Sequence, residues 1–251
     1  MGVDEFLEFP SAGMLVAALA TRICDLLREG IHQRGQASVA VSGGSTPIPL
    51  FVRLAEMDMQ WDKVTVSLVD ERWVEPEARD SNENLVRTWL LRHKAAAARF
   101  IPMKTREATA LQGEAACALL QQEIPHPYDC LILGMGNDGH TASLFPGSKN
   151  LEAAVDLASG RICMAIRPPA AALHPSLERA ALGRPCPAAS HERMTLTLPA
   201  ILASRQLFLH LQGEEKKKVL ARALEAGDAG QMPIRFILRQ ETTPLSVYWS
   251  P

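Results

Sequence analysis

The sequence predicts an α/β fold: one domain over residues 1–251, built on a mostly parallel sheet with helices on both faces. Short runs rich in Val, Ile and Leu alternate with stretches whose apolar residues recur at helical spacing, as expected for strands joined by helical crossovers. Three polar clusters, at 42–46, 70–72 and 134–140, each follow such a run directly. In open parallel sheets, ligands bind beyond the carboxyl ends of the strands, so three clusters at that edge describe one shared site. A chain of 251 residues, 47% hydrophobic and 22% charged, is large enough to bury such a core.

Leu15, Leu19, Ile23, Leu26 and Leu27 give residues 14–27 an apolar helical face. A strand at 37–41 runs into SGGSTP (42–47) and then a helix through Leu54. Pro47 suits the first turn of that helix, where a missing N–H costs nothing. The strand at 64–69 ends in Asp70-Glu71-Arg72, a polar loop, before a helix capped near Ser81. A helix fits 107–122, and the strand at 128–133 leads into GMGNDGH (134–140). Further strands are expected at 161–166, 194–198, 206–211 and 245–249, and helices at 199–204 and 213–226. Residues 168–190, rich in Pro and Ala, read as a long loop rather than a domain linker.

Composition excludes several classes of function. Net charge is −2, from 26 basic and 28 acidic residues, and no basic block offers a footprint for nucleic acid. The longest cationic run, 216–218, follows two glutamates on an expected helix and reads as a solvated face with local ion pairs. Five cysteines without a CxxC indicate neither a disulfide framework nor a zinc site. Cys24 and Cys130 fall on apolar faces and read as core packing. The acidic start MGVDEFLEFP lacks the features of a signal peptide, and no apolar run reaches membrane-spanning length. The expectation is a cytoplasmic protein without nucleic-acid or membrane partners; the sequence does not fix the oligomeric state, and a monomer is the favoured expectation.

Each cluster suggests chemistry. Ser42, Gly43, Gly44, Ser45 and Thr46 join a strand to a helix, where glycines let backbone amides approach an anion and the helix N-terminus adds positive potential. No Gly-Lys-Ser/Thr follows, so this is not a P-loop; a tight capped turn is the alternative. Asp70-Glu71-Arg72 offers a guanidinium for bidentate phosphate binding, with acids to orient it or a hydroxyl; the alternative is a surface ion pair. Residues 134–139 match GxGxxG, with Asp156 near the expected acidic spacing. A dinucleotide site needs a long helix from the third glycine, however, and His140-Thr141-Ala142-Ser143-Leu144-Phe145 meets Pro146-Gly147 after little more than one turn. His140 lies two residues after Asp138, at a strand end between glycines. An imidazole there can take a proton from water, and a nearby aspartate fixes its tautomer. No second histidine stands at metal-ligand spacing and no GxSxG elbow occurs.

SGGSTP (42–47), DERWV (70–74) with SNENL (81–85), GMGNDGHTASLFPG (134–147) and ERMTLTLPAI (192–201), in this order, resemble the 6-phosphogluconolactonase family over about residues 10–225. The resemblance implies a Rossmann-like fold shared with glucosamine-6-phosphate deaminases. It implies hydrolysis of 6-phospho-D-glucono-1,5-lactone to 6-phosphogluconate in the oxidative pentose phosphate pathway, without metal or organic cofactor. It makes His140 the base that activates water, with Asp138 beside it. Arg72 and Arg193 become phosphate or substrate contacts, and residues 42–46, Asp70 and Asn82 line the same site. Family members commonly carry a lysine in a Pro-rich stretch before ERxTLT; this chain does not, and Arg184 and Arg167 are the candidate substitutes. In the deaminases the DGH loop continues with a glutamate where this chain has Phe145, a residue suited to closing a pocket and packing beside a sugar ring. Their Asp-Glu-Tyr is Asp70-Glu71-Arg72 here. The alternatives are an amino-sugar-phosphate deaminase or isomerase on the same fold, and a non-catalytic sugar-phosphate sensor, which would need no base.

Overall fold

The structure, a computed structural model, describes residues 2–169 and 192–251. Most of the expected 168–190 loop, with Arg184, lies outside them. The elements in chain order are β1 (Glu5–Glu8), α1 (Ala12–Arg34), β2 (Ala37–Val41), α2 (Ile48–Glu56), β3 (Val64–Leu68), β4 (Asp70–Arg72), α3 (Asn82–Trp89), β5 (Arg99–Phe100) and α4 (Ala110–Gln122). There follow β6 (Cys130–Leu133), α5 (Leu151–Val155), β7 (Cys163–Ile166), β8 (Arg193–Leu196), α6 (Leu198–Leu202), β9 (Leu207–Gln212), α7 (Glu214–Leu224), α8 (Ile234–Arg239) and β10 (Leu245–Ser250).

Seven strands form the expected parallel sheet, in the order β1-β10-β9-β6-β2-β3-β5. Every residue of β2, β3 and β6 is buried, which is why these segments read as apolar runs rather than alternating ones. Helix α1 packs on β2, β6 and β10. It is longer than its apolar core predicts because both ends are capped. Ser11 accepts the Met14 N–H, and Gly35, at φ 75°, closes the other end by donating to Ile31 O. Leu15, Leu19, Ile23 and Leu27 on its inner face are fully buried, each worth about 1.5–3 kcal/mol of transfer free energy. Cys24 and Cys130 are buried as expected, and burial pushes the Cys24 thiol up to about 11.

Three expectations need correction. Residues 70–72 are not a loop. They form β4, antiparallel to β8, which pairs in turn with β7, so the strands expected near 161–166 and 194–198 build a separate three-stranded antiparallel sheet. Main-chain bonds continue that pairing beyond the strands, with Trp73 N–H donating to Glu192 O and Leu196 N–H to Val69 O. Pro47 stands at the N-cap of α2, and it is Pro49 that occupies the first turn. Strands β1 and β5 and helix α8 carried no expectation. The first two have only four and two residues, and Glu5 and Glu8 disguise the first.

Candidate active site

The carboxyl ends of β2, β6 and β9 open on a cavity of about 350 Å³. Ser42 ties the first two strands together. Its hydroxyl donates to Ile132 O at 2.8 Å and accepts the Gly134 N–H at 3.1 Å. Residues 43–46 turn from there along the cavity wall into α2, whose N-terminus has no side-chain cap and no acid in its first turn. The turn is pressed against α3: a Cβ on Gly43 would stand 1.9 Å from Asn82 Oδ1. Glycine is needed there for the close approach.

The loop after β6 is a set of tight turns. Gly136 N–H donates to His140 O, Gly139 N–H to Gly136 O, and Leu144 N–H to Thr141 O. Gly139 and Ala142 have φ of 81° and 48°. The next helix, α5, begins only at Leu151 and has five residues. The loop thus lacks the helix a dinucleotide fingerprint requires. Its product is the pair the sequence singled out: Nδ1 of His140 lies 2.6 Å from Asp138 Oδ1, which also accepts the His140 N–H. With Nδ1 donating to the carboxylate, Nε2 is left as the basic nitrogen. Desolvation works to raise the Asp138 carboxyl, but the hydrogen bonds and charge of His140 outweigh it and hold the acid below its ordinary range. Gly136 makes the pairing possible, because a Cβ there would fall 2.1 Å from His140 Nδ1 and 2.6 Å from Asp138 Oδ1. Phe145 packs on the imidazole at 4.5 Å between centroids. It is buried and does not line the cavity, so it backs the base rather than meeting a sugar ring.

The third cluster divides its roles. Asp70 accepts the Ser143 hydroxyl at 2.6 Å and so fastens β4 to the histidine loop. Asn82 Nδ2 donates to Asp70 O at 2.8 Å. Glu71 is fully buried and accepts the N–H groups of Arg72, Asn82 and Glu83 and the Ser81 hydroxyl. Burial pushes its carboxyl up against the pull of those donors. It is a capping group for α3, not a solvent-facing acid. Arg72 lines the cavity and donates to Asp80 O at 2.6 Å. Arg193 is its cross-strand partner in the β4–β8 register. Burial, then the charge of Arg72, lowers the Arg193 guanidinium to about 10, and its Nη1 finds no partner among the described residues. Two cations side by side repel unless an anion lies near both. Arg193 and Asp138 do not themselves line the cavity; Arg193 sits beside Arg72 on the neighbouring strand, and Asp138 is bonded to His140.

Sequence reasoning missed three polar lining residues: His210, Gln212 and Lys216. Lys216 was read as part of a solvated run. It is half-buried, hydrogen-bonds Asn137 in the histidine loop, and has its ammonium lowered by desolvation. Lys217 fits the solvated reading, paired with Glu8 and lying 4.0 Å over the Trp249 ring. The signal for Lys216 was its place in the first turn of α7, just past the carboxyl end of β9. Arg167, one of the two substitutes for the missing lysine, is exposed and does not line the cavity.

Residues 10–249 match the family described as glucosamine-6-phosphate isomerases/6-phosphogluconolactonase. A 6-phosphogluconolactonase of Rhizobium meliloti is 41% identical over 244 residues, 97% of each chain. A 6-phosphogluconolactonase structure from Shewanella baltica, 42% identical, superposes with a TM-score of 0.88 over 98% of this chain and 97% of the other. A monomeric glucosamine-6-phosphate deaminase, 16% identical, superposes at 0.76 over 98% and 97%, a likeness of fold alone. A match across nearly the whole chain, with relatives this similar, means that the protein belongs to the glucosamine-6-phosphate isomerase/6-phosphogluconolactonase family.

Proposed function

We propose that the chain hydrolyses 6-phospho-D-glucono-1,5-lactone to 6-phosphogluconate, a step of the oxidative pentose phosphate pathway, with His140 as general base. The relatives named 6-phosphogluconolactonase support the reaction. The observation that carries the mechanism is the 2.6 Å contact between His140 Nδ1 and Asp138 at the cavity wall. Nε2 takes a proton from water as its oxygen attacks the lactone carbonyl. The tetrahedral intermediate then collapses, the ring C–O bond breaks, and the imidazolium returns the proton to the departing ring oxygen. Asp138 stabilises the imidazolium between the two transfers.

The phosphate lies between the glycine-rich turn at 43–46, the uncapped N-terminus of α2, and Arg72, with Arg193 beside it. Lys216 adds a cation on the side of the histidine loop. Asp70 and Asn82 hold the two sides in register. Remote phosphate binding of this kind can orient the lactone for attack.

The test is lactone hydrolysis measured above the spontaneous rate, beside ammonia release from glucosamine 6-phosphate. Hydrolysis without ammonia is expected, because Phe145 cannot move a proton and Arg72 replaces a phenol. Ammonia without hydrolysis overturns the reading; neither activity, with sugar phosphate still bound, favours a sensor.

A further inference from the structure

Strand β9 fills its buried positions with Leu207, Phe208, Leu209 and Leu211, and among them places His210, only 5% exposed. Its Nδ1 is buried and finds no hydrogen-bond partner among the described residues. Leaving a buried polar atom unpaired costs stability that a leucine would not cost. On the same face stand Phe208, two residues earlier, and Tyr248, its register partner on β10. These two pack on each other at 5.7 Å between centroids and offer His210 no carboxylate. Yet His210 lines the cavity, with Gln212 beyond it on the same face of the strand and Lys216 on the helix that follows. The register that pairs Leu133 with Leu209 brings it level with Gly134, where the histidine loop begins.

We infer that His210 reads the substrate: its neutral imidazole, through Nε2, hydrogen-bonds a hydroxyl of the phosphorylated sugar lactone on the cavity floor. The inference rests on the lactonase reading for the identity of that ligand. An unpaired Nδ1 leaves Nε2 as the polar edge that can face the cavity. Burial pushes the imidazole down to about 4, so it stays neutral at working pH and presents no charge to the phosphate. Being uncharged, it suits a hydroxyl better than an anion. Its role is distinct from that of His140, which has a carboxylate behind it and can carry the proton.

His210→Leu, with His210→Gln as the variant that keeps a donor, tests this. A neutral hydrogen bond lost from the bound state raises KM for the lactone and Kd for 6-phosphogluconate about three- to tenfold. The loss falls on KM more than on kcat, and His210→Gln recovers part of it. The Tm of His210→Leu should hold or rise, because an unpaired buried atom is removed. Unchanged KM and Kd in His210→Leu, beside an active wild type, overturn the inference alone. A fall in Tm with unchanged affinity does the same and makes His210 structural. Wild-type protein that binds 6-phosphogluconate but leaves the lactone intact overturns the lactonase reading alone, and Kd still decides the role of His210. Should His210→Leu fail to fold, imidazole ¹⁵N resonances of the wild type decide: the Nε2 signal of His210 moves on adding 6-phosphogluconate, or the inference falls.

Discussion

His140 and His210 line one cavity, yet Nδ1 of the first lies 2.6 Å from a carboxylate and Nδ1 of the second has no partner among the described residues. The first sits on a glycine-rich loop with its side chain 32% exposed; the second sits inside a strand. Asp138 accepts from Nδ1 and leaves Nε2 as the free nitrogen, so His140 can cycle a proton. The apolar surroundings of His210 disfavour charge and leave it a hydrogen bond to offer. What stands behind the ring, rather than the residue type, decides which histidine does chemistry.

The widest separation between them is in rate. His140→Ala should lower lactone hydrolysis by about two to four orders of magnitude, the range for removing a general base. His210→Leu should cost only the few-fold loss of one neutral hydrogen bond. Steady-state kinetics of both variants check this. Equal losses, or near-normal turnover by a folded His140→Ala protein, would break the distinction.

Next comes the support behind the base. Gly136→Ala adds a Cβ 2.1 Å from His140 Nδ1, so the ring must leave Asp138. A displacement of about 1 Å in a catalytic group costs on the order of 10²-fold. Activity should fall accordingly while 6-phosphogluconate binding changes little, since the glycine lies under the base rather than the phosphate. Full activity in Gly136→Ala would show that the Asp138 contact is dispensable.

Smaller effects belong to the far wall. Arg72→Ala and Arg193→Ala should each lose about 1.5–3 kcal/mol in kcat/KM for the phosphorylated lactone, the size of a charged hydrogen bond. The loss should shrink for unphosphorylated gluconolactone, with Arg193 the weaker because it does not line the cavity. Equal losses on both lactones would remove the phosphate from this side.

Much of this site was legible in the sequence. Clusters that follow apolar runs fall at one sheet edge, and the tight DGHTASLFPG stretch leaves no room for a helix. The second sheet was not legible, because Asp70-Glu71-Arg72 has no apolar residue and its pairing depends on contacts more than 100 residues away, with Arg193, Met194 and Thr195. Glu71 looked available for a ligand; only its four donors reveal a cap. His210 was hidden in LFLHLQ, where a lone histidine reads as core. The period of two was the available clue, since it sets Phe208, His210 and Gln212 on one face and ends that face in polar groups at the strand's carboxyl end.

The smallest predicted effect separates the two histidines without any substrate. His210 is held near 4 in the folded protein against an ordinary 6.5. The unfolded chain therefore binds the extra proton first as pH falls. The stability that depends on a neutral His210 is complete above about pH 6.5 and is lost progressively down to about pH 4. Between pH 8 and pH 6 that linkage removes about 1 kcal/mol from the wild type and nothing from His210→Leu. Asp138 acts in the same sense but in a lower window. Its depressed carboxyl contributes stability above the ordinary aspartate range, which is lost only as pH falls through the folded value, so it does not mask the first effect. Thermal unfolding of the two proteins across pH 8 to 5 gives the comparison. Their Tm curves should separate as the solution is acidified, with the wild type falling faster. Parallel curves would mean that the His210 ring reaches water in the folded state, and its contrast with His140 would disappear.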